Sequence, residues 1–235
     1  MAAASAEAIA RHPHLGEPQR DGRVRVDLHT HTMWSGDSTT TPEEFAGAVD
    51  ASGLDVVCIT DHNAVEGAMV LRERLDCRVI VGEELRTAAG EIIGLFLAER
   101  IPMGISHLEA ARAIRDQGGV VYIPHPFDPM RRNMSEAALY ELAEADLIDA
   151  VEVLNSKTSL SSLNRRAVEF AAEFGIVGGA GSDGHVPDAL GAAYVEMADF
   201  DTPMEFLASL ASAEVIGHHW DEPRPWTPRV VPSLT

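Results

Sequence analysis

Residues 23–31 have the sequence RVRVDLHTH, in which valines alternate with arginines before two histidines close the run. The alternation predicts a β-strand over residues 23–28. Residues two apart in an extended backbone point to the same side, so His29 and His31 can bind one ion together. This stretch therefore predicts a strand that ends in a pair of metal-binding side chains.

The rest of the chain alternates short Val- and Ile-rich runs with longer amphipathic stretches. Thr41 with Glu44, and Ser106 with Glu109, form capping boxes that mark helix starts. Further strands are predicted over residues 55–59, 78–81, 91–97, 120–123, 150–154, 176–180 and 193–196, and helices over residues 42–51, 64–75, 107–117, 135–144, 160–174 and 203–211.

Alternating strands and helices predict a parallel sheet with right-handed crossovers. About seven such units favour closure, so the predicted fold class is α/β, a distorted (β/α)7 TIM-like barrel. Residues 86–96 leave no room for a helix, and a hairpin-like irregularity is expected there. The barrel domain is predicted over residues 23–212, between a flexible N-terminal segment at 1–22 and an extended, proline-rich C-terminal segment at 213–235.

The composition excludes several classes of protein. With 235 residues, 46% of them hydrophobic, the chain can bury a core, which a disordered protein cannot. No apolar run approaches the ~18 residues of a membrane span, so no membrane association is expected. The formal charge of −19, from 18 basic and 37 acidic residues, opposes binding of long nucleic acid. The only two cysteines, Cys58 and Cys77, fit a reducing cytoplasm.

Metal-capable side chains lie at the carboxyl ends of five of the predicted strands. They are Asp27, His29 and His31; Asp61 and His62; Glu83 and Glu84; His125; and Asp183 and His185. In a parallel barrel these strand ends converge on one face. A single histidine after a strand is usually an ordinary polar loop residue. Five clusters in phase, holding five of the ten histidines, favour a metal centre over independent surface residues.

These clusters also resemble the ordered motifs of a known family. The motifs are DLHTH at 27–31, TDH at 60–62, GEE at 82–84, PHP at 124–126 and GSDGH at 181–185. They resemble those of the PHP family, named for polymerase and histidinol phosphatase domains, over roughly residues 23 to 200. The chain is most similar to its small stand-alone phosphoesterases. The resemblance implies a distorted seven-stranded barrel that holds two or three divalent ions, commonly zinc, manganese or iron, and hydrolyses phosphate esters.

The resemblance also implies a ligand set. One ion would be bound by His29, His31, Glu83 and Asp183. Glu83 would bridge to a second ion that also takes His125, and a third would be held by Asp37, His62 and His185. Glu83 and Asp183 are thus expected at the catalytic centre. Trinuclear relatives often have a histidine where this chain has Asn155, which is either a weak ligand or water-holding residue, or a structural strand cap.

Several neighbouring residues are candidates for supporting roles. Arg131 and Arg132 follow His125 on the same predicted rim and are the first candidates for a phosphate clamp, although adjacent loop arginines are often only solvated. Lys157 and Arg165 or Arg166 are weaker candidates. Asp27 and Asp61 are either partners that orient the ligating histidines or ordinary turn caps.

The function expected from these features is metal-dependent hydrolysis of a phosphate ester by a metal-bridging hydroxide, with a small phosphorylated molecule or a short nucleotide as the substrate. An amidohydrolase-type C–N hydrolase is one alternative, and it would predict a carboxylated lysine bridge. Lys157 is the only lysine available for one. A non-catalytic metal-binding or regulatory domain is the other, and it would be expected to have lost several ligands.

Overall fold

The computed structural model describes residues 11–17, 20–158 and 160–220. The strands in this part of the chain are β1 (Arg23–Thr30), β2 (Val56–Ile59), β3 (Arg78–Thr87), β4 (Gly90–Leu95), β5 (Val120–Ile123), β6 (Ala150–Asn155), β7 (Val177–Gly181), β8 (Ala193–Ala198) and β9 (Glu214–Gly217). The α-helices are α1 (Pro42–Ser52), α2 (Glu66–Arg72), α3 (His107–Asp116), α4 (Glu136–Glu144), α5 (Ser161–Phe174) and α6 (Pro203–Leu210). Short 3-10 helices cover Pro13–Gly16, Met33–Ser35 and Pro187–Ala189.

The strands form one sheet in the order β7-β6-β5-β4-β3-β2-β1-β8-β9. Strands β1 to β3 are parallel, as are β5 to β7, whereas β4 runs antiparallel to both β3 and β5. Beyond β7 the chain returns to β1, where the His31 N–H donates to the Gly184 carbonyl at 2.9 Å. The predicted distorted seven-stranded barrel is confirmed, and the β3–β4 hairpin is the irregularity expected at residues 86–96.

The helices begin where the sequence signals place them. The Thr41 side chain accepts the Glu44 N–H while the Glu44 carboxylate accepts the Thr41 N–H, and Ser106 and Thr202 start α3 and α6 in the same way. The helix predicted at residues 64–75 is shorter at both ends, because α2 begins after Val65 and its last helical residue is Arg72.

The core has two layers, one inside the barrel and one between the sheet and the helices. On β2, Val56 and Cys58 pack inside, whereas Val57 and Ile59 face the outer layer. This is the period of two expected of a strand buried on both faces. Among the described residues, no helix is both long and apolar enough to cross a membrane.

The predicted domain boundaries differ from the structure at both ends. Residues 11–17 pack on the barrel, because the buried Arg25 guanidinium donates to the carbonyls of Leu15 and Glu17. At the other end, β9 pairs antiparallel with β8, so the sheet continues past residue 212. Residues 1–10 and the proline-rich stretch from 221 lie outside the described residues.

Histidines join the two ends of the described chain. His12 is 2% exposed, and its Nδ1 lies 3.2 Å from His218 Nε2. Its other ring nitrogen contacts the Asp188 carbonyl oxygen at 2.8 Å. Burial lowers the pKa of His12 to about 4, and burial also lowers the pKa values of His14 and His218. The docked N-terminal segment therefore requires neutral imidazoles.

Acidification is expected to release this segment. The pKa of His12 is about 4 when docked and returns to its ordinary value of 6.5 when the segment undocks, so the undocked form binds more protons between these values. Docking is fully stable above about pH 6.5 and loses up to ~1.4 kcal/mol per pH unit below it. The protection factors of the amides in residues 11–17, which correct the exchange rates for the intrinsic pH dependence of exchange, should fall between about pH 7 and pH 5. A His12→Phe variant should show a weaker pH response, and an equal response would contradict the assignment.

Candidate metal centre

Side chains from the ends of β1, β2, β3, β5 and β7 converge on one face of the barrel. Ligand atoms within 4.8 Å of one another form four overlapping groups: His29, His31 and Glu84; His29, His125 and Asp183; His31, His62 and His185; and His62, Glu84 and Glu91. Residues up to 156 positions apart in the chain thus meet in one cluster, as the convergence of parallel strand ends predicts.

Glu84 lies at the middle of this cluster and is 1% exposed. Its Oε2 is 2.9 Å from His62 Nδ1, 3.4 Å from His31 Nε2 and 3.5 Å from His29 Nε2. Its Oε1 is 3.0 Å from His125 Nε2. One carboxylate therefore contacts four imidazoles, which is the position of a residue able to bridge ions.

The assignment of this bridging position to Glu83 is wrong. The Glu83 carboxylate accepts the Ile101 N–H at 2.8 Å and lies 3.9 Å from Arg100 Nε, so it ties the segment after β4 to β3 instead of entering the cluster. Burial raises its pKa to about 7. Strand β3 continues to Thr87, and successive residues of a strand face opposite sides. The register therefore directs Glu84 inward and Glu83 outward.

The remaining predicted ligands assemble around Glu84. Asp183 Oδ1 lies 3.4 Å from His31 Nε2. At the mouth of the cluster, the Asp37 carboxylate is 3.3 Å from His62 Nε2 and 3.4 Å from His185 Nε2. Apart from Glu83, the structure brings together every residue predicted as a ligand.

The donor set fits divalent cations. His29 Nε2 and His31 Nε2 face each other at 3.0 Å, an arrangement of two lone pairs that a shared cation stabilises. His125 Nδ1 is buried and has no hydrogen-bond partner among the described residues. Mixed imidazole and carboxylate donors suit zinc, manganese and iron.

The electrostatics keep the carboxylates ionised. Burial would raise the pKa of Glu84, but His62 and His29 beside it hold that pKa well below its usual range. Burial acts in the same way on Asp183, where Lys157 and His29 lower the pKa. Burial, reinforced by His185, lowers the pKa of His31, so this imidazole stays neutral. Anionic carboxylates and a neutral imidazole are the forms that bind metals.

Asp61 acts on the cluster through a serine. Its carboxylate accepts the Thr32 N–H at 2.6 Å and the Ser35 hydroxyl at 2.7 Å. Ser35 Oγ in turn lies 2.8 Å from His31 Nδ1. Asp61 therefore orients a candidate ligand as well as fixing the turn after β1.

Asp27 holds the backbones on either side of the barrel closure. Its carboxylate accepts the N–H groups of His29 at 3.2 Å, Ser182 at 2.9 Å and Gly191 at 3.1 Å. Asp27 is therefore a turn cap, and because it caps the backbone of His29 it also positions this candidate ligand.

Sequence reasoning missed two buried carboxylates. Glu91, on β4, lies 3.7 Å from His62 Nδ1 and accepts from Arg86 Nε at 3.2 Å. Glu152, on β6, lies 3.1 Å from His29 Nδ1. The available signal for Glu152 was a charged residue inside an otherwise apolar predicted strand, since such residues are rarely buried without a partner.

Cationic side chains border the cluster. A cavity of about 160 Å³ is lined by Arg86, Arg131 and Arg132 together with residues of the cluster. Arg131 Nη1 lies 3.8 Å from Asp183 Oδ2, and Lys157 Nζ lies 3.5 Å from Asp183 Oδ1. The exposed Arg132 guanidinium pairs with no described residue.

Two further candidates have structural roles. Arg166 pairs with Glu136 at 2.6 Å and does not line the cavity. Asn155 accepts the Lys157 N–H at 2.9 Å, as a strand cap does, and it also donates to Glu152 at 2.9 Å and to Asp183 Oδ2 at 3.5 Å, so it caps β6 beside the cluster.

The chain is similar to a known family and to known proteins. A model of the PHP-associated family matches residues 161–215, from α5 into β9. Two uncharacterized proteins of Methanocaldococcus jannaschii are similar. One is 36% identical over 146 residues, covering 57% of this chain and 82% of that protein. The other is 34% identical over 194 residues, covering 78% of each.

Solved structures share the fold. A two-domain protein from Bacteroides vulgatus containing a predicted PHP-like metal-dependent phosphoesterase matches with a TM-score of 0.69 and 18% identity. The match covers 86% of this chain and 67% of that one. At this identity the likeness establishes a common architecture.

The neighbouring glutamates provide a matched pair of variants. Glu84→Gln should reduce bound metal and lower metal affinity more than ~100-fold, because it removes the central anionic donor. Glu83→Gln should retain the metal and should not lower the Tm at neutral pH, because burial raises the pKa of Glu83 to about 7 and the neutral amide removes the cost of ionising a buried carboxyl. Elemental analysis and thermal unfolding would test both, and loss of metal in Glu83→Gln alone would reverse the assignment.

Proposed function

The chain belongs to the PHP family, and from its site we propose that it is a metal-dependent phosphoesterase acting on a small phosphorylated molecule or a short nucleotide. The observation that carries the proposal is the combination, in one cavity, of a buried imidazole and carboxylate cluster with a cationic rim. The first feature suits divalent ions and the second suits a phosphoryl group.

The residues define how two or three ions would be held. One ion would take His29, His31, Glu84 and Asp183; a second would take Glu84 and His125; and a third would take Asp37, His62 and His185. Zinc, manganese and iron all match this donor set. When bound, such ions lower the pKa of a coordinated water and neutralise charge on phosphoryl oxygens.

The protein's own cations would bind the substrate. A net charge of −19 repels anions, so phosphate binding requires a local excess of positive charge. Arg131 and Lys157 approach Asp183 from different oxygens, one from the loop after β5 and the other from the loop after β6. Arg132 adds an exposed guanidinium at the rim. These three groups would orient the ester and draw it into the cavity.

The cavity favours this reaction over the alternatives. An amidohydrolase-type site would use a carboxylated lysine as its bridge, but here Glu84 occupies the centre and Lys157 contacts Asp183 and His185. A non-catalytic domain would not need a full ligand set beside a cationic rim.

The proposal also includes a cytoplasmic location for the enzyme. Both cysteines are free thiols, as is usual for proteins of the reducing cytoplasm.

Hydrolysis of an aryl phosphate monoester and diester panel tests the function. Wild-type protein loaded with zinc, manganese or iron should turn over at least one ester, lose activity with a chelator and regain it on metal addition. Bound metal without turnover of any ester would reject the phosphoesterase and support a C–N hydrolase or a binding domain.

Substitution of two different arginines distinguishes a role in substrate binding from a general effect of surface charge. Arg131→Ala should lower kcat/KM about 10- to 100-fold with unchanged metal content, because a charge-assisted hydrogen bond contributes ~1.5–3 kcal/mol. Arg166→Ala, which removes an arginine paired with Glu136 outside the cavity, is the control and should retain activity. Equal effects of the two substitutions would argue against the clamp.

A further inference from the structure

Glu152 is a fully buried carboxylate in the middle of β6 that no part of the proposed chemistry uses directly. We propose that Glu152 is a positioning residue that fixes two metal-binding histidines at once, His29 through its ring and His125 through its backbone. The inference rests on the proposed metal-dependent function and deepens it, since it identifies what holds the ligands in place.

Both Glu152 oxygens are engaged within the site. Oε1 lies 3.1 Å from His29 Nδ1, while Oε2 accepts the His125 N–H at 2.7 Å and Asn155 Nδ2 at 2.9 Å. No arginine or lysine among the described residues pairs with this carboxylate. A buried carboxylate is costly without partners, and here the partners are His29, the His125 backbone and Asn155, all within the site.

The contact with His29 determines which ring nitrogen faces the cluster. Nδ1 of His29 lies within hydrogen-bond distance of a carboxylate oxygen, which is an acceptor, so Nδ1 is the ring nitrogen that donates a proton to this contact. Nε2 is then the nitrogen that can bind an ion, and it is the one that lies 3.0 Å from His31 Nε2. A carboxylate behind a ligating imidazole also raises the basicity of the ligand.

The contact with His125 stabilises an unusual backbone. His125 has φ 28°, in the left-handed region that residues with a Cβ rarely adopt. Its neighbours Pro124 and Pro126 have no backbone N–H. The His125 N–H is therefore the single backbone donor in this tripeptide, and Glu152 accepts it. The resulting conformation directs His125 Nε2 to Glu84.

The neighbouring strand β7 leaves room for this arrangement only because residue 181 is glycine. A Cβ there would lie 2.3 Å from His29 Cβ and 2.7 Å from Glu152 Oε1. The backbone of β7 at Gly181 therefore packs directly against the Glu152 carboxylate and against His29. Carboxylate, imidazole and glycine together form a packed support for the ligands.

Glu152→Gln tests the proposal, because it keeps the size of the side chain but turns one acceptor into a donor that opposes an existing N–H. Zinc affinity measured by calorimetry should fall about 10- to 100-fold. Glu196→Gln is the matched control: Glu196 is also buried in a strand, is 5% exposed and pairs with Arg25 away from the site. The control should lower the Tm and leave zinc affinity unchanged. Equal zinc affinity in Glu152→Gln and wild type would overturn the proposal.

A measurement on the wild type decides the matter even if the variant does not fold. Long-range ¹H–¹⁵N spectra of the zinc-loaded protein should show His29 protonated at Nδ1 and coordinated through Nε2. Coordination through Nδ1 would reject the role of Glu152. Neither readout uses catalysis, so wild-type protein that binds zinc without hydrolysing esters would contradict the proposed function while leaving this test intact.

Discussion

The structure depends on the backbone pairing that joins the end of β1 to the segment after β7. The His31 N–H donates to the Gly184 carbonyl at 2.9 Å, and the Asp183 N–H donates to the His29 carbonyl at 2.7 Å. This pairing brings the first motif of the sequence against the last. The buried Asp27 carboxylate reinforces it by accepting N–H groups from both segments. Without this closure five strands of an open sheet would separate the ligands of β1 from those of β7.

Closure of the barrel buries several ionisable side chains close together, which is energetically unfavourable in a protein interior. Glu84, Asp183 and Glu152 are each at most 2% exposed, and the side chains near them that can carry a positive charge are chiefly imidazoles. Removal of ionised groups from water costs several kcal/mol each unless they are paired. Divalent ions would offset that cost, so metal binding and stability of this end of the barrel are coupled. The buried Glu152 carboxylate, which contacts His29, adds to the same desolvation cost.

The sequence predicted local features well and register poorly. Capping at Thr41 and the run of strand-end ligands are local signals, and the barrel follows from their alternation. The Glu83–Glu84 assignment failed because it depends on where β3 ends, and pairing with β4 extends that strand beyond its apolar core. Glu152 escaped notice because its partners come from β1 and β5. The docking of residues 11–17 likewise depends on Arg25, whose contacts are formed only in the folded barrel.

Under the proposed function, Asp183 is where ion binding and substrate binding meet. Its two oxygens lie 3.5 Å from Lys157 and 3.8 Å from Arg131, so this anion attenuates the positive charge that the cavity offers to a phosphate. Coordination of Asp183 to an ion would neutralise it and leave both cations to act on the ester. An acidic protein thereby becomes selective: its surface charge repels polyanions, and only a ligand small enough to reach the occupied centre experiences a positive field.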